Sequence, residues 1–503
     1  MNARRSTILL LVIVLLAGML PGCQSAPSQP TAVSPPAPAE PTNVPPTATA
    51  MPEPVVIEYW DYRGGALVEF IKKEMVIFHE QYPWITINLT EFPDRRTYRE
   101  AVSLAFESGN APDVFVRPVQ LASMIKSGWI QPLDPYITPE WLNKFPAGSF
   151  LETVNMWQGK IYSYPANMSG VGRMLFLNTD MFKAAGLVDS SGAITPPKTW
   201  SDFRTMAKKI TEAGKGKYYG IALSTKEARS MMWWFDMASL AGCGMAPYDY
   251  DFHTGKYEYG TNPAYAQIVE LLLGMKADGS VYPYESTIED ANIHTFFGQE
   301  QFAIMMTGSY AVSNLAKDFP NFQNYEVVPL PVPDGGQTGQ YGLGPSGVYY
   351  LSSETKNPQD AWLWMDWLSQ RDVHQRMVQQ TTNYSIYSDL NNAQNITDPH
   401  AYQAYLASAA FGALAPFPPA RNPNAALVQP EPVTPDFSDL LIGIYTGQVS
   451  DWKQALLDLD ARKQAALEAA IAKAQADGLD VSMEDFIFAD WDPMESYLNY
   501  PDK

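Results

Sequence analysis

The most chemically capable residues in the chain are Trp60-Asp61-Tyr62-Arg63 and Arg117. Each group follows directly on a stretch that reads as a β-strand, Val55 to Tyr59 and Asp113 to Val116. In open α/β sheets, ligands bind in the crevice beyond the carboxyl ends of the strands. Arginines, a carboxylate and aromatic rings gathered there suit hydrogen bonding and ring stacking. Enzyme constellations are missing from the sequence: it contains no G-x-S-x-G, no H-E-x-x-H and no P-loop. Ser123-Met124-Ile125-Lys126 fits S-x-x-K, but it lies in an apolar helical stretch and no Lys-Thr-Gly accompanies it. Gly342-Leu343-Gly344-Pro345-Ser346-Gly347 fits G-x-G-x-x-G, yet a dinucleotide site needs a strand before it and a helix after it. Here a Gly/Pro loop precedes it and the strand Val348 to Leu351 follows, so the loop is read as a hinge or cleft rim centred on Gly344. Asp249 to Tyr259 has the look of a calcium loop without its later Gly and bidentate Glu, and a hairpin turning at His253-Thr254-Gly255-Lys256 fits better. Five histidines and two cysteines show no zinc-ligand spacing. No cofactor and no metal are expected. Carboxylates are plentiful, so counting alone does not remove a hydrolase pair.

Composition narrows the partners. The 503 residues imply two or three domains, and 46% hydrophobic residues are enough for large cores. With 54 acidic against 34 basic residues the formal charge is −20, which argues against nucleic acid and against adhesion to anionic lipid. The 13 Trp, 28 Tyr and 22 Phe serve mainly to pack cores, but rings exposed in a cleft would cover flat apolar sugar faces.

The elements that would position these residues begin after a leader. Arg4 and Arg5 precede the apolar run Ile8 to Leu16, which is too short for a convincing membrane span. The run ends at Leu20-Pro21-Gly22-Cys23, which resembles the lipobox of bacterial lipoproteins, where the Cys is acylated; Pro21 departs from the small residue usual at its place. Residues 1–23 are therefore expected to be a lipoprotein signal with the lipid on Cys23. Residues 24–54, rich in Pro, Ala, Thr and Ser, would be a tether. From Val55, strands alternate with helices, the pattern of βαβ units and a largely parallel sheet. Gly159 to Phe182 breaks that rhythm: a short strand, Pro165, a flexible loop, the apolar run Met174 to Leu177, then a helix capped by Asn178. This grammar suits a crossing between two lobes, with Pro165 at the hinge and Asn167 facing a cleft. The other crossings are expected near 292–300 and 335–347.

The order of pieces resembles the family-one extracellular solute-binding proteins of ABC importers, the group that includes maltose-binding proteins. The resemblance rests on Trp60-Asp61-Tyr62, Phe78 to Ile85, Gly109-Asn110-Ala111-Pro112-Asp113-Val114, Gly128 to Asp134, Leu177 to Leu187, Pro196 to Trp200 and Phe296 to Val312. It implies an α/β, two-lobe periplasmic-binding-protein fold of type II. Each lobe would be a mainly parallel sheet flanked by helices, and the discontinuous lobes would be joined by hinge crossings. The N-lobe would comprise 55–166 and 292–340, and the C-lobe 167–291 and 341–503, with the strand Phe302 to Thr307 returning to the first lobe. It also implies ligand contacts from Trp233 or Trp234, from Tyr310 after a strand end, and from the loop holding Tyr384. The implied function is capture of a carbohydrate, expected to be an oligosaccharide, by an exported, lipid-anchored monomer. That monomer would deliver the ligand to the transmembrane subunits of an ABC permease. A ligand-sensing lipoprotein and a carbohydrate-active hydrolase are the alternatives.

Overall fold

A computed structural model describes residues 52–166, 173–244, 248–289, 292–343 and 347–500. The expectations placed on Cys23, Asn167 and Gly344 lie outside these residues.

Two four-stranded sheets organise the chain. In the first, Val55–Asp61 pairs in parallel with Ile85–Glu91 on one side and with Val114–Val116 on the other. Tyr349–Leu351 completes the edge, antiparallel to Val114–Val116. Alternation along the first strand sends Ile57, Tyr59 and Asp61 inward and leaves Val56 exposed. Helices Gly65–Gln81, Arg95–Ser108 and Pro358–Ser369 add Phe78, Tyr98, Trp364 and Trp367 to the core beneath it. The second of these helices starts where the Asp94 carboxylate accepts from the amides of Arg96 and Thr97. It ends at Gly109, whose left-handed φ of 70° suits a residue without a Cβ.

The second sheet runs Tyr219–Ile221, Phe302–Thr307, Met174–Asn178, Tyr325–Pro329. The first pair is parallel and the other two are antiparallel, so this sheet is mixed rather than mainly parallel. Met174 to Leu177 is wholly buried because both faces are covered. Leu175 and Leu177 join a core with Phe203, Trp234 and Ile268, while Met174 and Phe176 join Phe297, Phe302 and Tyr325. A strand covered on both faces reads as a continuous apolar run. Helix Trp200–Gly214 lies so close to the strand Tyr219–Ile221 that a Cβ on Gly220 would sit 2.2 Å from the Ala207 carbonyl oxygen.

Two expected lobe assignments are corrected. Phe302–Thr307 pairs with Met174–Leu177 and stays in the second sheet, whereas Tyr349–Leu351 goes back to the first. Both are short apolar runs buried along their whole length, and their pairing partners lie far away in sequence, so local pattern does not tell which sheet takes which. The helix Ile293–Gly298 is accordingly not a crossing: it packs against Phe302–Thr307 and helix Tyr310–Asp318. The third passage is at 377–396. There Met377, Ile386, Tyr387 and Leu390 enter the first core, and Val378, Tyr384 and Ile396 enter the second.

Past Asp398, helices Pro399–Ala409, Phe437–Thr446 and Trp452–Ala476 add to the second body. The last stretch packs Phe486, Phe488, Trp491 and Tyr497 against Tyr250 and Phe252.

Candidate ligand-binding site

The end of the first sheet holds the residues singled out by sequence, but mostly as framework. Arg63 donates from Nε to both carboxylate oxygens of Asp61 at 3.0 Å, and from Nη2 to the hydroxyls of Tyr59 and Tyr349 at 3.0 and 3.1 Å. The Tyr59 hydroxyl donates to Asp61 at 2.5 Å. Asp61 is wholly buried. Burial alone would push its carboxyl up, but the charge and hydrogen bonds of Arg63 outweigh burial and hold it below the ordinary range. Trp60 packs on Phe92 and Tyr62 on Tyr98, with ring centroids 5.1 and 4.9 Å apart, and both are half-buried. Arg117, also half-buried, donates its backbone amide to Val348. The crossing chains are fixed here too: Ser163 Oγ donates to the Tyr349 carbonyl at 2.7 Å and the Val348 amide to that of Tyr164 at 3.2 Å. Pro165 is buried beside these bonds.

A cavity of about 620 Å³ opens in the second body. Its walls come from five parts of the chain. Helix Ala228–Ser239 gives Met232, Phe235 and Asp236; the hairpin region gives Tyr248, Asp249 and Tyr259; the start of helix Phe437–Thr446 gives Asp436, Phe437 and Ser438; helix Trp452–Ala476 gives Lys463. Arg173, just before the strand Met174–Asn178, completes the lining. The hairpin turns where expected, with Asp251 bridged to Lys256 and the Asp251 carboxylate accepting from the His253 amide and the Thr254 hydroxyl.

The cavity is charge-paired. Arg173 Nε lies 3.2 Å from Asp236 Oδ2, and its guanidinium stacks 3.6 Å above the Trp233 ring. Burial pushes the Asp236 carboxyl up to about 6, against the pull of Arg173. Lys463 pairs with Asp249, which also accepts from the Tyr259 hydroxyl at 2.5 Å. Asp436 caps its helix by accepting from the Asp439 amide at 2.9 Å. Between the charges lie the half-buried rings of Phe235 and Tyr248, above a buried pair in which Tyr259 stacks on Phe437 at 5.0 Å. Aromatic faces flanked by side-by-side donors and acceptors hold a flat polyhydroxylated ligand without covalent chemistry.

Of the other residues named from sequence, Tyr310 alone is largely exposed, at 45%. Its hydroxyl accepts from Thr307 Oγ1 at 2.9 Å. Thr307 pairs with Met174, so Tyr310 and Arg173 belong to the same end of the second sheet. Trp233 and Trp234 are both buried, Trp233 as the platform under Arg173 and Trp234 inside the core. Tyr384 is buried too, donating to the Ala401 carbonyl at 3.2 Å. Burial removes Trp234 and Tyr384 from ligand contact. Sequence reasoning missed Asp236, although a carboxylate in the apolar run Met231 to Leu240 was a usable signal. Lys463, more than two hundred residues from its partner Asp249, gave none.

Two α/β bodies, each built on a four-stranded sheet, define the class of protein, and comparison with known proteins agrees. Residues 60–374 match the family model of the bacterial extracellular solute-binding protein. The chain belongs to that family. A binding protein of Brucella abortus (strain 2308), whose name leaves its ligand open, is 25% identical over 367 residues, covering 72% of this chain and 83% of its own. The maltotriose-binding protein of Pyrococcus abyssi (strain GE5 / Orsay) is 22% identical over 318 residues, covering 62% of this chain and 63% of its own. Among solved structures, the sugar-binding protein MalE of Xanthomonas citri shares the fold with a TM-score of 0.61 at 17% identity, over 85% of this chain and 100% of that one. The two-body α/β fold is thus the type II periplasmic-binding-protein fold.

Proposed function

We propose that the chain captures a neutral carbohydrate, in the first instance an oligosaccharide, and hands it to the transmembrane subunits of an ABC importer. The observation that carries this reading is the cavity itself, where the half-buried rings of Phe235 and Tyr248 stand with the pairs Arg173–Asp236 and Lys463–Asp249. Stacking on rings and bidentate hydrogen bonding suit sugar faces and sugar hydroxyls. Closure of the two bodies would be a population shift toward the state that fits the ligand better, with the segments beside Pro165 and Tyr349 bending. Capture needs no reacting group, and the chain acts as a binder rather than an enzyme. Lipid on Cys23, with residues 24–54 as tether, would hold a monomer at the outer face of the membrane, within reach of the permease.

The test is a thermal-shift panel of neutral mono- and oligosaccharides, sugar acids and glycerol phosphate. A ligand at a hundred times its dissociation constant stabilises by about 2.7 kcal/mol. Stabilisation by a neutral oligosaccharide supports the reading. Silence toward every sugar, with a response to glycerol phosphate, overturns it. Uptake of the bound sugar into vesicles carrying the permease separates transport from sensing. Cys23→Ser should release the protein from the membrane fraction, and retention there would refute the anchor.

A further inference from the structure

Lys463 comes from the helix Trp452–Ala476, well outside the family-matched residues 60–374. Its ammonium pairs with Asp249 and stands 5.3 and 5.6 Å over the rings of Tyr257 and Tyr259. The two side chains are 18% and 30% exposed, enclosed yet open to the cavity. Tyr259 fills a further lone pair of the same carboxylate. Burial, joined by the negative charge of Asp249, raises the Tyr259 phenol well above its ordinary range, so it remains a donor.

The surrounding fold fixes this trio. Asp460, one turn before Lys463, accepts from the amides of Tyr259 and Gly260 at 2.5 and 2.9 Å. The hairpin base approaches the helix so closely that a Cβ on Gly260 would meet the Leu457 amide nitrogen at 2.6 Å. From the other side, the Phe488 amide donates to the Phe252 carbonyl at 2.6 Å, and Trp491 packs edge-on against Phe252 at 5.0 Å. Groups held this way need little reordering to bind.

An ammonium beside a carboxylate matches a vicinal diol. One hydroxyl donates to Asp249 while its neighbour accepts from Lys463. The two protein charges already compensate each other, so the ligand need bring none. A ligand carboxylate would instead meet Asp249, Asp236 and Asp436 against only Lys463 and Arg173 among the cavity's charged side chains. Like charges brought together in an enclosed site are strongly disfavoured. We propose that Lys463 and Asp249, the latter held in place by the buried Tyr259 hydroxyl, form a specificity subsite that recognises a vicinal diol of a neutral sugar and discriminates against sugar acids. This rests on the carbohydrate reading above.

The test is calorimetry with a matched pair of probes: the neutral oligosaccharide giving the largest thermal shift, and its counterpart carrying one terminal uronic acid. Wild type should prefer the neutral probe by about tenfold or more, an energy gap of roughly 1.4 kcal/mol. Lys463→Met should weaken the neutral probe by about tenfold while the ligand-free melting temperature holds, and Lys463→Arg should recover part of the loss. Asp249→Asn frees the ammonium, so it should narrow or reverse the neutral-to-acid ratio, which a purely structural role would not do. Variants that weaken both probes equally, or a wild type that prefers the acid, overturn the subsite and leave sugar capture standing. If no neutral sugar binds wild type at all, the carbohydrate reading fails and the subsite falls with it.

Discussion

Two arginine–aspartate pairs sit at strand ends, one in each body, and they do opposite work. Arg63 and Asp61 are spent on the fold. The side-chain bonds described for them are to each other, to Tyr59 or to Tyr349, and the Asp61 carboxyl is held below its ordinary range. Arg173 and Asp236 line a cavity, and burial pushes the Asp236 carboxyl up to about 6. The difference lies in how many partners surround each carboxylate. Asp61 has the guanidinium on both oxygens, a phenol and the Arg63 amide. Asp236 has Arg173 on one side and a cavity on the other. An under-satisfied ionisable group beside a cavity is where a ligand's hydroxyls gain most.

The sharpest break in that comparison is Arg63→Met. It strands a wholly buried carboxylate and removes the tie to Tyr349, whose carbonyl holds Ser163 at the crossing. Removing one partner of a buried pair costs about 3–5 kcal/mol. Urea unfolding should show that loss in the ligand-free protein. A loss below about 1 kcal/mol, the scale of an exposed ion pair, would mean that Arg63 is not framework.

The sequence made the first pair visible and hid the second for a physical reason. Asp61 and Arg63 are two residues apart at the end of a strand with clean alternation, so local pattern finds them. Arg173 and Asp236 come from different elements, and Lys463 reaches Asp249 only once helix Trp452–Ala476 has packed on the hairpin base. The α/β grammar and the hairpin near His253 were legible because each is set by neighbours in the chain. The sheet taken by Phe302–Thr307 was not, because two buried apolar runs are interchangeable to local pattern and only long-range pairing separates them. Tryptophan identity misled at 233–234: a ring there supports Arg173 from below or fills the core.

Asp236→Asn should act on binding more than on folding. In the ligand-free protein the native carboxyl binds its proton more tightly than the unfolded one. Its contribution to stability is therefore most favourable below about pH 4 and declines as pH rises toward 6, by roughly 2–3 kcal/mol. The Asn variant should lose that decline. Affinity should run the other way: hydroxyls donate to the ionised form, so sugar binding strengthens as pH rises through 6. Parallel melting and calorimetry from pH 4 to 8 test both signs, and curves of the same sign would show that Asp236 does not accept from the ligand.

The smallest expected effect separates two tyrosines that the sequence treated alike. Tyr310 is 45% exposed and its hydroxyl meets Thr307, whereas Tyr384 is buried and holds the Ala401 carbonyl. Tyr310→Ala should cost less than about 1 kcal/mol of stability, because little area is lost from the interior. Its place at the Arg173 end of the sheet should make it felt in binding, by up to about tenfold, the scale of one lost ring contact. Tyr384→Ala should do the reverse, removing a packed ring at a cost of about 3–5 kcal/mol while the sugar affinity of the folded fraction holds. Measuring both variants by urea unfolding and by calorimetry therefore crosses the two readouts. Should Tyr310→Ala leave affinity untouched, the exposed end of Phe302–Thr307 drops out of the site, and binding would rest on the cavity walls between Arg173 and Lys463.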